Sequence, residues 1–124
     1  EEDFHGEKDF NPYSMVFQAA NSLPLLVIND NLCFVDYQPT GMAANIYKQY
    51  YRSPWSFMKM RQIEMTVGSK SIRNLLRLNI HYVSSCLIVR NKHWLKDSPR
   101  PLLTLLMSPL GFLLFCFILW KNRH

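Results

Sequence analysis

The stretch from Pro101 to Trp120 constrains the fold most, because its twenty residues include no charged side chain. As an α-helix it would be about 30 Å long, which matches the thickness of the hydrocarbon core of a bilayer. Basic residues flank it on both sides, namely Lys96, Arg100, Lys121 and Arg123. Such flanks are typical of a membrane-spanning helix. The sequence therefore predicts a single-pass membrane protein with one C-terminal transmembrane helix over residues 101–120.

The part before this helix has the pattern of an α+β protein, with a small β-rich N-terminal domain. Apolar runs at 23–28 and 32–37 flank a turn-forming Asn-Asp-Asn cluster at 29–31, and this arrangement predicts a hairpin. Alternation of apolar and polar residues over 63–67 predicts a further strand. Residues 42–51 predict a short helix that ends before Pro54, because the residue before a proline avoids helical geometry.

Residues 72–90 fit two patterns. Leu76, Leu78, Ile80 and Tyr82 alternate with polar residues, as expected for a strand. A helical face is the alternative, formed by Ile72, Leu76, Ile80, Val83 and Leu87. The strict alternation and the β-branched pair Ile88-Val89 favour strands.

Charge and composition divide the chain into five parts. Residues 1–36 hold seven acidic residues and one basic residue, whereas residues 37–124 hold thirteen basic and two acidic residues. Such asymmetry suits self-complementarity between the two parts, a basic partner for the acidic arm, or anionic lipid for the basic part. The predicted parts are an acidic, aromatic-containing arm (1–14), a small β-rich domain (15–90), a basic juxtamembrane linker (91–100), the transmembrane helix (101–120) and a short basic tail (121–124).

No catalytic or metal-binding constellation is evident. The four histidines lack metal-ligand spacing, and only two acidic residues follow residue 36, which disfavours a pair of catalytic carboxylates. The sequence therefore predicts no catalytic residue, no metal, no cofactor and no enzyme activity. A chain tethered to a membrane is also not expected to bind nucleic acid.

Three groups of residues are candidates for other roles. Small residues at helical spacing favour close packing in the membrane against a neighbouring helix, namely Thr104, Ser108 and Gly111. Basic residues before the span are expected to anchor its flank or contact lipid headgroups, namely Arg90, Lys92, Lys96 and Arg100. Their excess over the two basic residues after the span favours a domain in the cytosol or matrix. A disulfide between Cys33 and Cys86 is an open alternative that would require an oxidising compartment.

These features favour a non-catalytic accessory or structural subunit of a larger membrane protein complex, whose partners are other membrane-protein subunits and the bilayer. A start at Glu1 rather than Met predicts either a removed leader or a processed piece of a longer chain, and no N-x-[ST] glycan acceptor occurs. Together with the basic balance, these features favour the mitochondrial inner membrane. The alternative is an independent, single-pass, membrane-anchored domain that binds lipid or protein, such as a cell-surface or viral ectodomain.

Overall fold

The described part of the chain is helical. The computed structural model describes residues 6–7, 13–24, 26, 28–34, 36, 45–67 and 71–123. Its helices are α1 (Tyr13–Ser22), α2 (Ile46–Arg52), α3 (Pro54–Val67), α4 (Ile72–Ile88) and α5 (Pro101–Arg123). No strand occurs within these ranges, so the prediction of an α+β fold with a β-rich N-terminal domain is wrong.

The predicted hairpin is not formed by the described residues of 23–36, which are irregular. The side chains of Leu26 and Phe34 are 86% and 97% exposed, so these two described residues bury little surface against the bundle. An isolated two-stranded hairpin is marginal in water without a third strand or a covering helix. The predicted return of the chain through Val35 and Tyr37 lies outside the described residues.

The strand predicted at 63–67 is instead the last part of α3. Pro54 is the first residue of this helix, where its fixed φ angle and its missing N–H are tolerated. The carboxylate of Glu7 accepts hydrogen bonds from the backbone N–H groups of Trp55 and Ser56, at 2.8 and 2.7 Å. An acidic group at this position satisfies unpaired N–H groups and complements the helix dipole. The arm thus contributes a cap to α3.

The preference for strands at 72–90 is also wrong, because residues 72–88 form α4. The alternative helical face does not describe the buried side well either, since Ile72 is exposed and Leu76, Ile80 and Leu87 are only half-buried. The buried residues of α4 are Leu75, Leu78, Asn79, Tyr82, Val83, Ser84, Ser85 and Cys86. The helix that the sequence predicted before Pro54 is present as α2, and residues 41–44 lie outside the described part.

Helices α3 and α4 run antiparallel and enclose the main core. The Gln62 amide contacts the Tyr82 hydroxyl, while Met58, near the start of α3, contacts Asn91 beyond the end of α4. The buried side chains of this core are Met58, Met65, Leu75, Leu78, Tyr82 and Cys86. The half-buried Trp55, Val89, Trp94 and Leu103 pack around them.

Helix α5 runs parallel to α4, because contacts advance along both helices in the same direction. Asn79 contacts Thr104, Val83 faces Gly111, and Ile88 packs beside Ile118. The connection 89–100 must therefore return along the bundle from the end of α4 to the start of α5. Its contacts trace that return, from Asn91 N–H on the Cys86 carbonyl to the Ser98 hydroxyl on Thr104.

Helix α2 covers the C-terminal end of α5. The Tyr47 ring packs edge-on against Phe117, and the Lys121 ammonium lies 5.2 Å from the Tyr47 ring centre. A second core cluster joins α2, α3 and α5 here, formed by Tyr50, Phe57 and Ile118. One side of α5 is therefore held by the bundle along its length.

Candidate membrane-facing surface

The other side of α5 is open. Exposed residues recur along it at spacings of three and four, so they form one stripe along the helix. We call this stripe the open face; its large apolar residues are Leu102, Leu105, Leu106, Leu110, Phe112, Leu113, Phe117 and Trp120. The most exposed of these residues is Leu102, at 85%. A contiguous apolar stripe of this length marks a site of contact with a membrane or a partner rather than ordinary surface.

Within the described ranges, α5 is the one helix long and apolar enough to cross a bilayer. Most of it is exposed, whereas the apolar core helix of a soluble protein is mostly buried. The helix continues to Arg123, three residues beyond the predicted end. The predicted apolar C-terminal helix is therefore present, and its exposure fits an apolar environment on one side.

The buried side of α5 approaches α4 very closely at Gly111. A Cβ atom placed on Gly111 would lie 2.6 Å from both Cβ and Cγ1 of Val83, and 3.1 Å from the Ile80 carbonyl oxygen. Only glycine permits this backbone approach. The helix that packs against this predicted small-residue position is α4 of the same chain.

Thr104 lies in the centre of a buried chain of hydrogen bonds. The Arg100 N–H donates to Ser98 Oγ at 3.2 Å, and Ser98 Oγ lies 2.5 Å from Thr104 Oγ1. Thr104 Oγ1 donates to Asn79 Oδ1 at 2.5 Å, and Asn79 Nδ2 donates to the Leu75 carbonyl at 2.7 Å. Asn79 and Thr104 are fully buried. Because each buried polar group in this hydrogen-bond network has a partner, the network fixes the register of α4, α5 and the connection.

Ser108, the third predicted packing residue, forms a hydrogen bond with the backbone of its own helix. Pro109 lies inside α5 and has no N–H to bond the carbonyl of Leu105. The Ser108 hydroxyl donates to that carbonyl at 2.8 Å. Serine side chains are known to satisfy backbone groups released by proline in membrane helices. The helix consequently continues through Pro109.

The predicted anchoring residues do not form one flank. Arg90, Lys92, Lys96 and Arg100 are all exposed. Arg90 follows the end of α4, whose last turn packs beside Leu114 and Ile118, whereas Arg100 lies at the start of α5. The connection thus spreads these charges along α5, and counting them as one N-terminal flank misplaces Arg90.

A polar cluster joins α2, α3 and α4 on another side of the bundle. Arg61 bonds Glu64 at 2.6 Å and the Tyr50 hydroxyl at 2.8 Å, and Tyr50 stacks on His81 with 5.7 Å between ring centres. Burial, together with the charges of Arg61 and Arg77, lowers the pKa of His81 to about 4. His81 is therefore neutral at pH 7 and half-buried.

The cysteines lie in three different environments. Cys33 is exposed, Cys86 is 2% exposed in the main core, and all three thiols are free, so no bond joins Cys33 to Cys86. Burial raises the pKa of the Cys86 thiol to about 12, which makes it unreactive. Cys116 is exposed on the open face of α5.

Surface clefts lie near the start of α4. An apolar cleft of about 330 Å³ is lined by Ile72, Leu75, Arg100, Pro101, Leu102 and Leu103. A polar cleft of about 270 Å³ is lined by Ser71, Arg73, Asn74 and Arg77. In the described part of the chain, no three His, Cys, Asp or Glu side chains are grouped to hold a metal ion.

Comparison with known proteins adds no relative: no protein-family model, curated protein or solved structure matches this chain.

Proposed function

We propose that this chain is a non-catalytic accessory subunit of a larger membrane protein complex, attached to the membrane through α5. The observation that carries the proposal is the open face of α5, an apolar stripe that the rest of the described bundle leaves uncovered. Keeping such a stripe in water is unfavourable by about 25 cal/mol per Å² of apolar surface. Contact with lipid or with an apolar surface of another subunit removes that cost.

The rest of the bundle supports this role by holding α5 in place. Three contacts fix the inner side of α5: the close approach at Gly111, the buried hydrogen bonds of Thr104, and the packing of α2 on its C-terminal end. The outer side of α5 is therefore presented as a rigid surface. A preorganised surface loses little conformational entropy on binding. The mitochondrial inner membrane stays a prediction, which imaging of the tagged chain in cells would test.

An independent membrane-anchored binding domain is the second candidate. The exposed Leu26, Ile28, Leu32 and Phe34 favour it, because they give the segment after α1 an apolar surface for a ligand. The free thiols support the first candidate, since a Cys33–Cys86 disulfide was the feature expected of a secreted or cell-surface domain.

Flotation and native electrophoresis of the full chain test both candidates. We expect the chain to float with membranes and, after mild solubilisation, to comigrate with a large assembly whose subunits mass spectrometry identifies. The variant Leu106→Glu with Leu113→Glu should lose flotation, because two charges would enter the open face. The matched control, Leu32→Glu with Phe34→Glu, adds the same charge to exposed apolar residues away from α5 and should float normally.

The outcomes separate the candidates. Flotation without comigration would reject the accessory subunit and favour the independent binding domain. Equal flotation of both double variants would show that α5 does not attach the chain, and would reject both candidates as stated.

A further inference from the structure

The path of the connection between α4 and α5 limits how α5 can meet a membrane. The Tyr82 hydroxyl donates to the Trp94 carbonyl at 2.8 Å, and Tyr82 is adjacent to Val83, which faces Gly111. Gly111 is close to the midpoint of the uncharged stretch 101–120. The middle of the connection is therefore level with the middle of α5.

This connection is unsuited to the interior of a bilayer. It is irregular, and its charged side chains are all exposed, namely Arg90, Lys92, Lys96, Asp97 and Arg100. Irregular backbone facing lipid does not occur in the hydrocarbon region, and each charged residue there costs about 3 kcal/mol on insertion scales. If α5 crossed a bilayer while packed on α4, the connection would lie at the depth of the hydrocarbon core. Crossing would therefore require α5 to leave α4.

Leaving α4 would break the features that hold α5. The buried Asn79 and Thr104 would lose their mutual hydrogen bond, and Ile118 would leave its cluster with Tyr50 and Phe57. A buried polar group that loses its partner costs about 1–3 kcal/mol. The packed arrangement instead exposes apolar residues on one side of α5, while the bundle covers the other side.

The charges of the bundle suit an anionic surface. Residues 45–67 and 71–123 hold twelve Lys and Arg residues but only two acidic residues, Glu64 and Asp97. Arg100 and Lys121 lie at opposite ends of the apolar stretch and are both exposed. Basic residues at a membrane surface are attracted to anionic headgroups. When α5 lies flat, the basic residues at both of its ends can contact these headgroups.

We propose that α5 lies in the plane of an anionic bilayer, with its open face in the acyl region and the α2–α5 bundle intact on the aqueous side. This inference rests on the membrane attachment proposed above and specifies its geometry. The single crossing predicted from the sequence is the competing arrangement.

Depth measurements on the full chain distinguish the two arrangements. A fluorophore is attached at one engineered cysteine at a time, at Leu102, Leu113 or Trp120, in a chain carrying Cys33→Ser and Cys116→Ser. Quenching by lipids with spin labels at known depths is read in vesicles of phosphatidylcholine and phosphatidylserine in a 7:3 ratio. A helix in the plane places all three probes at a similar shallow depth, about 5–10 Å below the headgroups. A crossing helix places Leu113 much deeper than Leu102 and Trp120.

A crosslinked variant tests whether the bundle stays closed. Asn79→Cys with Thr104→Cys, in the same cysteine background, replaces two groups whose oxygen atoms are 2.5 Å apart. The affinity of the oxidised variant for vesicles should be within twofold of the affinity of its reduced form. Removing phosphatidylserine should weaken binding of the uncrosslinked chain at least tenfold, because several basic residues lose their partners.

The results have distinct meanings. Absence of vesicle binding would reject the membrane attachment itself. Binding with a deep Leu113 probe, or binding that the crosslink abolishes, would leave the attachment standing and overturn the in-plane arrangement.

Discussion

Helices α4 and α5 lie side by side, yet the more polar of the two, α4, is also the more buried. α4 carries Arg73, Arg77, Asn79 and His81, and eight of its 17 residues are buried. α5 has no charged residue before Lys121, and three of its 23 residues are buried. A protein surrounded by water on every side would place its more apolar helix inside. The inversion shows that α4 is the structural centre of the bundle, and it supports the proposal that α5 faces apolar surroundings.

The difference arises from what each helix contacts. α4 packs on α3, on α5 and, through Tyr82 and Cys86, on the returning connection, so that the side chains of Asn79 and Tyr82 have hydrogen-bond partners inside the protein. α5 packs on α4 and α2, and these cover one side.

The largest effect is expected for Gly111→Leu. The new side chain would overlap Val83, and overpacking of this kind costs about 3 kcal/mol when the backbones cannot separate. Chemical unfolding in mild detergent measures the change in the free energy of unfolding. Cys116→Leu enlarges a residue on the open face of the same helix and should change stability by less than about 0.5 kcal/mol. Equal effects would show that the inner and outer sides of α5 are not different.

The second prediction concerns the buried hydroxyl between the helices. Thr104→Val keeps the shape of the side chain but leaves Asn79 Oδ1 and Ser98 Oγ without this partner, and should cost about 2 kcal/mol. The control is Thr66→Val, because Thr66 is an exposed threonine whose hydroxyl bonds only its own helix at Gln62. If Thr66→Val lowered the free energy of unfolding as much as Thr104→Val does, the buried hydrogen bonds of Thr104 would have no special role in stability.

A third prediction uses the pH dependence of α4. Because the pKa of His81 falls from 6.5 to about 4 on folding, its contribution to stability is full above pH 6.5 and is lost as the pH falls towards 4. We expect about 1–2 kcal/mol, allowing for the partial exposure of the ring. The free energy of unfolding at pH 7 and 4.5 should therefore differ more in the native chain than in His81→Phe, which keeps an aromatic ring beside Tyr50. Parallel pH profiles for the two would contradict this assignment.

The smallest effect is expected at the cap of α3. Glu7→Gln removes the charge that receives the N–H groups of Trp55 and Ser56, and should cost about 0.5–1 kcal/mol. The loss should shrink at high salt because the dipole interaction is screened. Asp36→Asn removes an exposed acidic group outside any helix and serves as the matched control. A loss that does not respond to salt would contradict an electrostatic cap.

The sequence predicted some elements well and others wrongly, for identifiable reasons. The end of α2 before Pro54 follows from proline sterics, which act locally and need no tertiary contact. The strands assigned at 63–67 and 72–90 were wrong because alternation over a few residues also occurs within a helix. Tyr82 shows the difficulty, since it belongs to the apolar set of the strand pattern and is also buried in the helix.

The surface of α5 could be predicted in part. Thr104 and Gly111 were identified from small-residue spacing, and both lie in the contact with α4. Asn79 and Ser98 were missed, because the sequence around a polar residue gives no sign of the partner that it meets in the fold. The Asn79–Thr104 pair joins residues 25 positions apart, which only the folded chain brings together.

The sequence by itself determined that residues 101–120 form an apolar helix, because twenty uncharged residues carry that signal without help from the rest of the chain. Only the tertiary structure decided which side of that helix is covered and where the basic connection lies. The physical reason is that composition sets the free energy of transferring a helix out of water, whereas its orientation depends on which neighbours satisfy its polar groups. Here those neighbours are α4 and the returning segment from Val89 to Arg100.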